Sequence, residues 1–170
     1  MGSIGSEDLR KAQQPLKGRY GDDPQAALTT LKANGDLDEG ITCSVQTGQA
    51  LVKAGLHPGT GGDGAFACSG DMLLQALVAC AGVTMRAVAT SMGITVSGSV
   101  HAEGDLDWRG TLAVDKKAPV GFSAIRLRFD LESDASEDEL ATLERLTERY
   151  CVVFQTLAKP PALAVSRNQV

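Results

Sequence analysis

The stretch from Met72 to Met92 constrains the fold more than any other part of the chain, because nearly every position in it is apolar or small. Its residues include Leu73, Leu74, Leu77, Val78, Cys80, Val83, Met85 and Val88. A helix apolar on nearly all sides must be surrounded by protein. Ser69 is the expected N-cap, Asp71 sits in the first turn where a carboxylate meets the positive end of the helix, and Gly93 supplies the stop. The length also suits a membrane span, but Gln75, Arg86 and the polar flanks count against one, and no membrane partner is expected. A chain of 170 residues with 4% aromatics fits one domain and has few large hydrophobes to cover such a helix, so an obligate homodimer is expected.

The remainder reads as mixed helix and strand. Residues 1–25 are polar and punctuated by Pro15, Gly18, Gly21 and Pro24, which predicts an arm ordering against a partner, ahead of a single domain over 26–170. Ala26–Ala33 and Ile41–Thr47 read as a hairpin around Asn34-Gly35-Asp36. Gly55 to Gly64 holds five glycines and reads as a mobile connection. It lacks the Gly-Lys-Ser/Thr ending of a phosphate cradle. Ile94–Ala102 and Ser123–Leu131 alternate as strands with Leu112–Val114 between them, and Ile125 to Leu131 is the clearest period-two run. A capping box, Ser136 with Glu139, opens an amphipathic helix through Leu140, Leu143, Leu146 and Tyr150 to Cys151. Pro160-Pro161 stops helix beyond Leu157, and Leu163–Ser166 reads as a last short strand.

Sixteen basic and 21 acidic residues leave a net charge of −5 with no basic run, which argues against nucleic acid as a partner. The first ten residues have no apolar signal-like core, and a cytoplasmic location is expected. In that setting Cys43, Cys68, Cys80 and Cys151 are free thiols or a redox pair in preference to a structural framework. These four cysteines and the two histidines, His57 and His101, offer no short ligand spacing, so neither a metal nor another cofactor is expected. Cys80 has a bland reading as a small buried hydrophobe and a functional one as a thiol nucleophile. Cys151 has the same two, next to a change in helical character. Arg86, the cation inside the apolar helix, is expected to pair with a carboxylate for structural reasons.

Ser69-Gly70-Asp71-Met72-Leu73-Leu74-Gln75-Ala76-Leu77-Val78-Ala79-Cys80 resembles the first-cysteine signature of the OsmC/Ohr family, and Glu148-Arg149-Tyr150-Cys151-Val152-Val153-Phe154-Gln155-Thr156-Leu157 resembles its second. The resemblance covers about residues 40–166. It implies an α+β fold in which two central helices pack with antiparallel sheets in an intertwined homodimer, with Cys80 and Cys151 close together. It implies a thiol-dependent peroxidase acting on an organic hydroperoxide: Cys80 is oxidised to a sulfenic acid, Cys151 resolves it as a disulfide, and an external dithiol reductant restores the pair.

The chain departs from the family pattern at several points. The glutamate found ten residues before the first cysteine is replaced by Gly70, with the acid moved to Asp71, about 100° round the helix. Asp71 is the candidate for the carboxylate role. The hairpin offers Lys32 and Asp36 where the family has an arginine, with Arg19 as a remote substitute. Val152 replaces the proline that commonly follows the second cysteine. The alternative reading is therefore a non-catalytic small-molecule binding protein that keeps the fold. In the peroxidase reading Cys43 and Cys68 are expected to stay free of the disulfide.

Overall fold

The computed structural model describes residues 6–38, 42–45, 54–65, 67–167 and 169, with the backbone alone for 6–10, 31–38 and 42–45. Two strands form a hairpin, β1 (Leu28–Asp38) and β2 (Thr42–Val45), with Asp38 opposite Thr42. The expected turn at Asn34-Gly35-Asp36 is displaced, for these residues lie within β1. There they are held on both sides: Gly35 pairs with Val45 of β2 and with Val100 of β3 (Ser97–Asp107). Ladder pairing on two flanks outweighs the local turn preference of Asn-Gly. The hairpin turn, the ends of the expected second strand (Ile41 and Gln46–Thr47) and the side chain of Cys43 lie outside the described residues.

β3 also pairs antiparallel with β4 (Ala124–Glu132), giving a four-stranded sheet in the order β2-β1-β3-β4. In β4 the residues Ile125, Leu127, Phe129 and Leu131 are half-buried, and Ala124, Arg126, Arg128 and Asp130 alternate with them on the exposed face. Arg126 bridges to Asp105 and Glu103 of β3 on that outer face. The inner face receives the long helix α2 (Ser69–Met92).

By length and composition α2 could cross a membrane. Here it packs against the sheet and against two further helices. Its buried residues Leu74, Leu77, Val78, Ala81, Met85 and Val88 recur at intervals of three and four, which turns one face inward. Leu73 and Val83, on other faces, remain 37% and 39% exposed, so one chain does not cover the helix on all sides. The helix stops at Gly93, whose φ of 72° suits a residue without a Cβ. Its N-cap is Cys68 and not Ser69, and Cys68 makes no side-chain capping bond.

The expected strand at Leu112–Val114 is absent from the described structure. A short helix α3 (Trp108–Thr111) starts on the Asp107 cap, and Ala113 turns the chain with φ of 56°. Residues 1–25 also depart from a featureless arm, because Ser6–Asp22 form a helix, α1, with Pro15 inside it. The intrinsic propensity of Pro15, Gly18 and Gly21 opposes helix, and tertiary contact overrides it: Tyr20 is buried in the core and donates its hydroxyl to the Gly59 carbonyl at 2.9 Å.

α4 (Glu137–Tyr150) opens with the expected capping box, in which Ser136 and Glu139 bond reciprocally. A second short helix, α5 (Val152–Ala158), follows after one residue. Beyond it residues 160–167 form neither helix nor strand, with Leu163 and Val165 89% and 98% exposed. The expected last strand does not form within the chain.

Candidate active site

Cys151 is the single residue between α4 and α5. Its ψ of 108° breaks the helical path, its N–H bonds the Thr147 carbonyl at 2.9 Å as the end of α4, and its Sγ accepts from the Phe154 N–H at 3.5 Å as the cap of α5. Gln155 braces the junction by donating to the Glu148 carbonyl. The sequence put Cys151 near a change in helical character but did not reveal a helix starting on its own sulfur.

Leu143, Thr147 and Cys151 are spaced by four and all fully buried, so they form the stripe of α4 that meets α2. Leu143 belongs to the cluster around Met85 and Val88, whereas Cys151 packs with Leu77, Ala81 and Cys80. This places Thr147 between the two clusters. Its hydroxyl is buried without a hydrogen-bond partner among the described residues.

Cys80 packs against the core cluster that contains Cys151, each thiol influences the acidity of the other, and both are free. Their environments push them in opposite directions. Burial acts to raise the Cys80 thiol, but the Val153 N–H, the Cys151 thiol, the Val152 N–H and the Thr84 hydroxyl together bring it below the ordinary value. Burial pushes Cys151 up to about 11, aided by the neighbouring Cys80 and opposed by the Phe154 and Val153 N–H groups. One thiol is thus disposed to ionise while its neighbour keeps its proton. Cys80 is half-buried and Cys151 is 0% exposed, so Cys80 is also the more accessible of the two.

The residue after Cys151 contributes directly. A proline at 152 would have no N–H, whereas the Val152 N–H acts to lower the Cys80 thiol. Thr84, one helical turn after Cys80, went unremarked in the sequence, although a hydroxyl at i+4 from a candidate nucleophile was a readable signal.

Asp71 is not brought to this pair. It lies nine residues before Cys80, about 14 Å along the helix axis and half a turn around it. Its carboxyl is raised by burial, with His57 acting to lower it. His57 stacks on Trp108 with ring centroids 4.8 Å apart, and its Nδ1 accepts from the Gly59 N–H at 2.9 Å. Trp108 in turn donates to Thr29, and Gln13 donates to the Thr60 carbonyl. The glycine-rich segment expected to be mobile is therefore, over residues 55–62, a pinned loop packed on α1 and Trp108.

The remaining candidates lie elsewhere. Arg19 donates to the Ala26 carbonyl and covers the Tyr20 ring, and the side chains of Lys32 and Asp36 fall outside the described residues. Arg86 donates to the Val96 carbonyl at 2.7 Å. Cys68, at the far end of α2, is half-buried against the core. Among the described residues no group of three or more His, Cys, Asp or Glu side chains is placed to hold a metal ion.

An apolar cavity of about 550 Å³ lies between α2, α5 and β4, lined by Leu73, Leu77, Phe122, Ile125, Phe154 and Leu157 among others and by neither cysteine. Leu77 is one turn before Cys80 and Phe154 caps onto Cys151, so both cysteine segments share its wall.

Comparison with known proteins bears on the family and the fold. The family model described as OsmC-like protein matches residues 61–166, a span that includes both cysteines. No curated protein matches the chain. The crystal structure of an OsmC-like hydroperoxide resistance protein from Jannaschia sp. CCS1 superposes with a TM-score of 0.58 at 17% identity, covering 81% of this chain and 91% of that one. With the family model matching well over half of its length and the fold shared, the chain belongs to the OsmC-like family.

Proposed function

We propose that the protein is a thiol-dependent peroxidase that reduces organic hydroperoxides through Cys80 and Cys151. The observation that carries this reading is the packing of Cys80, on α2, with Cys151, at the α4–α5 junction, in one core cluster, where the first thiol is shifted toward ionisation and the second away from it. The Cys80 thiolate attacks the hydroperoxide oxygen, the O–O bond breaks, and the alkoxide leaves and takes up a proton as the alcohol. Cys80 is then a sulfenic acid. The Cys151 sulfur displaces its hydroxyl, the thiol proton leaves with it as water, and a Cys80–Cys151 disulfide remains. An external dithiol returns two electrons by thiol–disulfide exchange. The cavity between α2, α5 and β4 suits an apolar organic group on the substrate.

The same reading includes a homodimer. Leu73 and Val83 on α2 and Leu163 and Val165 on the extended tail are apolar surface that a second copy would bury. The Asp71 position favours one alternative, a small-molecule binding protein, since the carboxylate lies away from the thiol.

The test is consumption of cumene hydroperoxide with dithiothreitol, together with peptide mapping of the oxidised protein. Cys80→Ser is expected to abolish turnover, and Cys151→Ser to leave one oxidation per chain with a sulfenic acid accumulating at Cys80. A folded protein whose Cys80 stays reduced, or pairs with Cys68, would leave the binding-protein reading in its place.

A further inference from the structure

His57 holds its loop through an atom that a proton can occupy. The residue is the N-cap of a short 3-10 helix, Pro58–Thr60, and its Nδ1 accepts the Gly59 N–H at 2.9 Å. A main-chain N–H can only donate, so Nδ1 carries no hydrogen in this arrangement and the ring is neutral, with its hydrogen on Nε2. The ring also stacks on Trp108, with 23° between the two planes. The loop fastened in this way fastens other parts in turn. The Gly59 carbonyl accepts from Tyr20 of α1 at 2.9 Å and the Thr60 carbonyl from Gln13 of α1 at 3.1 Å, while the hydroxyl of the buried Thr60 donates to the His57 carbonyl at 2.9 Å. Asn, Ser or Thr at such a cap supplies a comparable acceptor that does not titrate. Histidine makes the same bond conditional on pH.

We infer that His57 is an acid-released latch: a proton taken up at Nδ1 ends its bond to Gly59 and frees residues 55–62 from α1 and Trp108, while the sheet and α2 stay folded. The proton comes from solvent and occupies the Nδ1 lone pair, so two N–H donors then face one another with no acceptor between them. The charged and titratable groups on the elements packed against the loop are Asp71 at the start of α2, the Tyr20 hydroxyl of α1, bound to Gly59, and Arg109 of α3, bound to Asp107. Asp71 and His57 already interact by charge, so a ring that has left Gly59 has a carboxylate to turn towards. The latch stands apart from the cysteine pair and does not depend on the peroxidase reading.

The chain has one tryptophan, so Trp108 fluorescence reports on this loop without a label. Emission is followed on the full-length chain from about pH 8 to about pH 5, together with residue-resolved amide exchange corrected for the intrinsic rate. As pH falls, the wild-type emission should move to longer wavelength, because the buried indole gains water. The protection of the Gly59, Thr60 and Gly62 amides, which bond to His57, should drop by up to about tenfold per pH unit, the limit for one proton. The amides of β3 and β4 should keep their protection. His57→Asn retains an acceptor that takes no proton in this range, and both signals should then be flat. Should that variant lose its circular dichroism signature, His57→Ser serves the same purpose. The inference is overturned if His57→Asn responds to pH as the wild type does, which would put the titrating group elsewhere, or if the wild-type loop stays protected throughout. Loss of protection in β3 and β4 together with the loop would also overturn it, since the event would then be global unfolding.

Discussion

The first turn of α2 and its middle are built from the same kinds of residue and do different things. At the first turn, a carboxylate and a histidine meet beside a stacked tryptophan: Asp71 feels His57, and His57 is spent on the Gly59 N–H and the Trp108 face. In the middle, the groups that bring the Cys80 thiol below its ordinary pKa are neutral, and they come from α2, the α4–α5 junction and α5. The first cluster organises a loop, whereas the second surrounds a thiol. A carboxylate close in sequence to a signature cysteine is therefore no guide to its task until its direction around the helix is known.

The largest expected effect breaks the first region and leaves the second alone. A Cβ added at Gly59 would collide with the Trp108 indole, so Gly59→Ala must push the ring off its seat under His57. Overpacking of this kind is expected to cost about 3 kcal/mol in urea unfolding. The pH profile of Cys80 alkylation by iodoacetamide should nevertheless be unchanged. A shift in that profile alongside the lost stability would mean that the two regions are coupled and the contrast is wrong.

The next effect belongs to the second region and to pH. Cys151 is an acid whose folded value, about 11, exceeds its ordinary 9.0. Its contribution to stability is therefore complete below pH 9 and is lost as pH rises to 11, while the unfolded chain ionises first. Cys80, lowered in the fold, contributes in the opposite sense: its share is present above the unfolded value and is lost as pH falls through the folded one. The pair should thus favour the fold most near pH 9, with a decline of at most about 2 kcal/mol by pH 11. Urea titrations at pH 7, 9 and 11 measure this, and Cys151→Ala should remove the alkaline decline. A decline of equal size in that variant would show that Cys151 is not its source.

The smallest effect sharpens the contrast. Burial raises the Asp71 carboxyl, so its contribution is held below the unfolded value of 3.8 and lost as pH rises through the folded one. Asp71→Asn should accordingly be neutral or slightly stabilising at pH 7, by less than about 1 kcal/mol, with hydroperoxide consumption within about twofold of the wild type. A tenfold loss of rate would return Asp71 to the active site.

What could be read in the sequence and what could not divide along the range of the forces involved. The capping box at Ser136, the glycine stop at residue 93 and the period-two run of β4 are local, and each stands where expected. The two cysteines stood out through the surrounding segments that resemble the family's two signatures, both of which lie within the matched span. The burial of Tyr20 that holds α1, the two-sided pairing that keeps Asn34-Gly35 in a strand and the loop contacts that pin His57 all come from residues distant in the chain.

The double cap at Cys151 has a mechanical consequence. One sulfur closes onto α5 from the end of α4 and touches α2 through Cys80, so a covalent bond formed there would rivet three helices at a single point. The loop it encloses runs from Cys80 to Cys151, long enough for closure to disfavour the unfolded chain by about 4 kcal/mol on chain-entropy grounds. Oxidation would then be more than a chemical state of two side chains. It would stiffen the joint between α4 and α5, and a reductant would have to loosen that joint before the next turnover could begin.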